Sequence, residues 1–346
     1  MSSTSAQARY RSRTRRKRLI GVSSVGLLVV ATAWSVAAGA AELSVLDVVR
    51  VLSGDAIGTE SAIVWRIRLP RVLTAIVAGL GLSVSGAVMQ KVLNNPLGSP
   101  FTLGISQAAA FGAAAAVVVL SGTGTLVRSG YLIAGSAFVF SLVSAGVILL
   151  LVAYTRATPE TMILTGIALG SLFAAGTSAL QYLADPSDVA AIVFWTFGDV
   201  SRTGYAELTA MAAVAAVSTG YFVHNSWDYT VLSAGDETAT GLGVEVARLR
   251  IGGMIAASLV TATATAFVGI ISFVGLVVPH IVRKVVGVDD RFVIPLSCVV
   301  GGLLLLVSDT VARTAFDPVV LPVGILTAFL GAPLFLYLVI IGREFW

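Results

Sequence analysis

Charge is what this 346-residue chain has least of: 12% of its residues are Asp, Glu, Lys or Arg, where a soluble domain carries about 25%. With 57% hydrophobic residues, that scarcity excludes a soluble globular fold. Aromatics are also few, at 8%, so the apolar mass is aliphatic and interspersed with 35 glycines. Close helix packing in lipid asks for that mixture. The single cysteine, Cys298, cannot form an intramolecular disulfide and lies in an apolar run; it reads as a buried inert thiol, against redox chemistry. Two histidines and no paired-ligand spacing leave too few groups for a protein metal site. A metal carried by this chain would travel inside a chelate.

Two further absences concern energy. The lysines are Lys17, Lys91 and Lys284, and none ends a glycine-rich turn followed by Ser or Thr, so there is no phosphate-cradling loop. If ATP drives transport, another chain hydrolyses it. Intramembrane carboxylates that relay protons or bind sodium are nearly missing, with Asp309 the main candidate. Ion-coupled transport is thereby the weaker reading, although a backbone-carbonyl ion site escapes this test. His280 has no partner spacing and reads as a polar helix-end residue bonded to a neighbour, not as part of a zinc-protease helix.

What charge there is gathers at the start, where seven of the ten residues from Arg9 to Arg18 are basic. This run reads as a cytoplasmic anchor beside anionic headgroups, not as a nucleic-acid contact. Small residues at 37–41 resemble a signal-peptide cleavage site. The apolar stretch 19–41, however, exceeds the roughly 7–15 residues of a signal-peptide core and is long enough to span, so it reads as an uncleaved first helix. Residues 1–18 are then a basic cytoplasmic tail, and 19–346 the transmembrane domain.

A crossing needs about 20 apolar residues. Eight runs qualify: 19–41, 72–90, 101–127, 129–155, 161–184, 208–223, 292–308 and 319–342. A ninth, 251–282, would be about 48 Å long as one helix, and both its flanks are basic (Arg248 and Arg250; Arg283 and Lys284). Both flanks belong in the cytoplasm, so the run must cross twice, breaking near Gly269. Ten crossings put both termini inside, with Arg156, the 225–250 connection and Arg343. Arg66, Arg68, Arg71 and Arg313 fall outside and disobey the charge rule. Small residues recur every fourth position at Ala75, Gly79, Ser83 and Ala87, and at Gly166, Gly170, Ala174 and Ser178, which predicts tight helix packing.

After the second span, Asn94-Asn95-Pro96-Leu97-Gly98-Ser99-Pro100 forces an ordered turn. Taken with Ser85-Gly86-Ala87-Val88-Met89-Gln90, the upstream Arg68-Leu69-Pro70-Arg71 and the following Leu103-Gly104, it resembles the signature of FecCD-type permeases, from ABC importers for iron-siderophores, haem and vitamin B12. The run from Gly269 through Ser272-Phe273-Val274-Gly275 and Pro279-His280 to Arg283 resembles that family's most recognisable stretch. Leu321-Pro322-Val323-Gly324 with Gly331-Ala332-Pro333 resembles its closing one. The resemblance covers about residues 60–340 and leaves out the basic tail.

The resemblance implies an all-α permease of about ten transmembrane helices with the type II ABC importer fold. Such a chain sits in the cell membrane as a homodimer around a central path, with two cytoplasmic ATPase subunits that carry ATP and Mg, and an external substrate-binding protein. It implies that the 225–248 loop couples to the ATPase through Asp236, Glu237, Thr240, Gly241, Leu242 and Gly243. A weak capping pattern from Ser233 to Asp236, and glycines at 241 and 243, suit short helices there. Arg68, Arg71 and Arg313, with neighbouring Arg66, would meet acidic residues of the binding protein in a salt-sensitive association. Asn94, Asn95 and Pro96 would shape a gate or turn, and Gln90, Ser83, Ala87 and Gly170 would line the path. A ferric siderophore is the expected cargo because that class is common in the family, with haem or vitamin B12 as alternatives; an ion-coupled transporter and an exporter are the competing classes.

Overall fold

The computed structural model describes residues 3–39, 43–54, 58–121, 130–155, 158–315 and 319–341, which form helices joined by turns, with no strand among them. Helix α1 (Ser3–Ala37) carries the basic tail straight into the first crossing, so the boundary expected at residue 18 is not a structural break. Helix α2 (Val45–Ser53) opens on a reciprocal cap between Ser44 and Asp47 and buries Val48 and Val51. Then α3 (Thr59–Ala62), a π-helical turn (Ile63–Arg68) and α4 (Leu69–Val92) form one 34-residue rod. Pro70 has no N–H to give, and the Leu69 N–H reaches back five residues to Val64, which widens the turn. Arg66, Arg68 and Arg71 therefore stand on a helical rod that begins well before the apolar run 72–90.

The chain continues through α5 (Ile105–Ser121), α6 (Gly130–Thr155), α7 (Pro159–Leu183), α8 (Pro186–Thr196), a 3-10 turn (Val200–Arg202) and α9 (Tyr205–His224). Two short helices follow, α10 (Ser226–Leu232) and α11 (Asp236–Gly241), before α12 (Val246–Val268), α13 (Val274–Val286), α14 (Asp290–Thr314) and α15 (Val323–Ile341). Among the described residues, seven helices are long and apolar enough to cross a membrane: α1, the α3–α4 rod, α6, α7, α9, α12 and α14. The shorter apolar α5 and α15 and the 13-residue α13 stand at the three remaining positions where the sequence led us to expect crossings. The 251–282 run breaks as its length required: α12 stops at Val268, and Gly269 (φ +78°) turns the chain toward α13. Arg156, Arg343 and the expected span residues 40–41, 122–127, 129 and 342 lie outside the described residues.

Helix α4 is the axis of the bundle, packed by α14, α12, α13 and α9, while α5 packs with α6 and α7. Small residues along α4 make this possible. A Cβ on Gly79 would collide with the Gly301 carbonyl on α14, and one on Gly86 with the Gly275 carbonyl on α13. At those two crossings backbone meets backbone, where dispersion and packing replace the missing hydrophobic drive between helices in lipid. Phe111, Phe140 and Phe173, with ring centroids 5.1 to 6.4 Å apart, fill the space between α5, α6 and α7.

Candidate functional site

Two polar clusters cap α4, one at each end. At the end where α4 begins, Asp309 of α14 is fully buried and takes a two-pronged contact from Arg71, with Nη2 to Oδ1 at 2.8 Å and Nε to Oδ2 at 3.0 Å. Arg313, one turn on, places its Nε 3.7 Å from the same carboxylate. Arg68 and Arg313 then spend their remaining donors on the last carbonyls of α1. Arg68 donates to Val36 (2.7 Å) and Ala37 (2.6 Å), and Arg313 to Ser35 and Ala38. A helix end buried in protein needs such partners for its orphan carbonyls. Thr310 adds a 2.7 Å hydrogen bond to Ser35. Three of the four arginines expected to face a docking partner are thus turned inward, clamping α1, α4 and α14 together, and Arg66 is the exposed one.

At the other end, Lys91 lies 3.1 Å from the buried Asp290 carboxylate and 2.7 Å from the Ser233 hydroxyl, while the Asp290 N–H donates to Thr230 (2.9 Å). These contacts tie α10 to both α4 and α14. Arg250 of α12 donates to the Val92 carbonyl (3.1 Å) and grips Asp236 of α11 with two bonds of 2.7 and 2.9 Å. Of α11 only Ala239 is buried. Glu237, Thr240 and Gly241 are exposed, as are Leu242 (68%) and Gly243 (φ +88°). The result is a single helical turn held firmly from behind and open in front, with an apolar tip. The Ser233 cap does not form: the Ser233 hydroxyl bonds backward to the Tyr229 carbonyl, and α11 starts only after Gly235 (φ +98°), at Asp236.

The Asn94-Asn95-Pro96 segment forms a turn after α4. Asn94 takes a left-handed φ of +40°, a conformation asparagine tolerates better than most residues, and the Asn95 side chain accepts from the Leu97 N–H at 2.8 Å. The four residues expected to line a path are each packed within the chain. Ser83 donates to the Ser297 carbonyl (2.6 Å), Gln90 donates to the Leu276 carbonyl (3.2 Å) and accepts from Arg283, and the Ala87 carbonyl accepts from Arg283 (3.2 Å). Gly170 faces the turn at Gly104 (φ +72°). Each meets a neighbouring helix or turn, as the tight packing expected from the small-residue stripes requires. Only part of the second stripe is used in this way: Gly166 meets Leu103, whereas Ala174 and Ser178 are exposed.

Spacing arguments missed Lys91, Arg250, Arg283 and Asp290. The available signal was their position at the ends of apolar runs in a charge-poor sequence. Arg202 was missed too; it caps α8 as Arg68 caps α1, donating to the Trp195 carbonyl (3.1 Å) and to those of Phe194 and Phe197.

Comparison with known proteins agrees with this arrangement. The profile of the FecCD transport family matches residues 27–341. A protein of Methanocaldococcus jannaschii named as an ABC transporter permease, MJ0087, is 47% identical over 338 residues, covering 96% of this chain and 97% of that one. The cobalamin import system permease BtuC of Halobacterium salinarum is 39% identical over 282 residues, covering 81% and 74%. A solved structure described as an inward-facing conformation of a metal-chelate-type ABC transporter superposes with a TM-score of 0.82 at 30% identity, over 93% of this chain and 99% of that one. The chain belongs to the FecCD transport family and is a multi-pass ABC transporter permease, a transport subunit without an ATPase of its own.

Proposed function

We propose that the chain forms half of the membrane channel of a binding-protein-dependent importer that carries a metal chelate, a ferric siderophore first among them. The observation that carries this reading is the pairing of an exposed α11, tied to α12 by Arg250 and Asp236, with an α4 axis whose Ser83, Ala87 and Gln90 are packed against neighbouring helices. A bulky cargo then passes between two copies of the chain, and the motion is supplied from outside it. Helix α7 suits the face toward the second copy: it is exposed along most of its length and presents the Ser171 and Ser178 hydroxyls among small residues. Two cytoplasmic ATPases, holding ATP and Mg, seat on α11, and their closure tilts the two halves as rigid bodies. This places α10, α11 and both termini in the cytoplasm, with the arginine clamp on the outer face.

Replacing Leu242 by Asp is expected to weaken ATPase association about tenfold and to leave binding-protein docking untouched, as read by co-purification with each partner. On the outer face, Arg66 supplies the exposed charge, while Arg68, Arg71 and Arg313 serve docking by shaping the rim. Arg66→Glu should slow association with the binding protein about fivefold at low salt, with the difference shrinking at high salt, because rim charges act mainly on encounter. An unchanged association rate at low salt would remove Arg66 from the docking surface.

The cargo is tested by uptake into vesicles holding the permease, its ATPase and its binding protein, against ferric siderophores, haem and cobalamin. Accumulation of the ferric chelate supports the first reading. The 39% identity to a cobalamin permease favours cobalamin as the second, and uptake of cobalamin alone would establish it.

A further inference from the structure

The arginine-rich start of α1, read from the sequence only as an anchor beside anionic headgroups, takes part in neither polar cluster, and it lies before residue 27, where the family match begins. Its placement follows from the faces of α1. One face is packed on α14: the Lys17 ammonium sits 4.8 Å from the Phe292 ring centroid, and Ala31 and Ser35 are buried. On the far side Val22, Val25 and Val29 are 71%, 47% and 63% exposed. Their spacing of three and four puts them on one stripe, and an exposed valine stripe on a membrane helix faces acyl chains. Stepping down that stripe by the same spacing leads to Arg18, Arg15 and Arg11, all exposed.

No acidic side chain precedes Glu42 in the sequence, so none on this segment can neutralise them. From Arg11 to Arg18 the helix rises about 10 Å. The headgroup layer on one side of a bilayer is about 5–8 Å deep. Lys17 at the Phe292 ring, near the start of α14, marks where the apolar bundle ends, so the row begins at the edge of the hydrocarbon and crosses the headgroups.

We propose that Arg11, Arg15 and Arg18 form a docking stripe for anionic phospholipid headgroups on the lipid-facing side of α1. Guanidinium groups suit this ligand because their planar donors match phosphate oxygens in pairs. Continuity with the lipid-facing valines separates a lipid from a soluble polyanion: the cations point outward into the bilayer's own phosphate layer. With Arg68 and Arg313 holding the other end of the helix, α1 is fixed at both ends.

The test uses the full chain, purified in detergent and offered equal amounts of phosphatidylglycerol and phosphatidylcholine, with retained lipid counted by native mass spectrometry. Wild type should retain phosphatidylglycerol in preference and lose that preference at high salt. Each Arg→Gln change should weaken it about fivefold, and the triple variant R11Q/R15Q/R18Q on the order of a hundredfold. The triple Arg→Lys variant should keep most of it. Equal retention by wild type and the triple Gln variant, or retention indifferent to salt in wild type, would overturn the proposal. So would displacement of the lipid by inorganic phosphate or by a short single-stranded RNA at equal concentration. The salt titration needs no variant and decides the matter even if the triple variant fails to fold.

Discussion

Replacing Asp309 by Ala is expected to destabilise the chain by about 3–5 kcal/mol, the cost of removing one partner from a buried charge cluster. Asp309 is fully buried and pairs with both Arg71 and Arg313. Without it, two guanidinium groups face each other at the junction of α1, α4 and α14, and the carbonyls of Ser35 and Ala38 lose a well-placed donor. Asp309→Asn should recover part of the loss, because an amide oxygen still accepts from Arg71. The double change Asp309→Leu with Arg71→Leu should cost less than the sum of its single changes, as coupled partners do. Thermal unfolding in detergent checks all of these; an Asp309→Ala protein as stable as wild type would show that the clamp does not hold α1.

The second large effect is expected at Gly86, where substitution by Val should cost at least about 3 kcal/mol or prevent folding. Overpacking a core costs about 1–3 kcal/mol when side chains can yield, and more when they cannot. Here the obstacle is the Gly275 backbone, so α4 and α13 must move apart. Gly26→Val is the control. Nothing lies within 4 Å of its Cβ position, on the exposed side of α1, so stability should be unchanged. Equal behaviour of the two variants would mean that close approach at Gly86 is incidental.

Those two sites show what the sequence makes legible and what it hides. Crossing helices were readable because length, charge and the hydrocarbon thickness each bound the answer; 251–282 could only be two helices, and it is. Close packing was readable from small residues at every fourth position, but its meaning was not. Ser83 and Ala87 look the same in sequence whether they line water or touch another helix. Helices α2 and α8 were invisible to a search for spans because they are too short to cross, although the Ser44 and Asp47 cap and the Pro186 start were local signals for them. The contacts of the arginines were hidden for a longer-range reason. That Arg71 meets Asp309, 238 residues away, or that Arg68 caps α1, depends on tertiary partners no local pattern contains.

Concentrative uptake in reconstituted vesicles tests the central claim most directly. The chain alone, given an ion gradient and a ferric siderophore, should accumulate nothing; adding the ATPase subunits, the binding protein and Mg-ATP should start accumulation. Accumulation by the chain alone, driven by the gradient, would contradict the account.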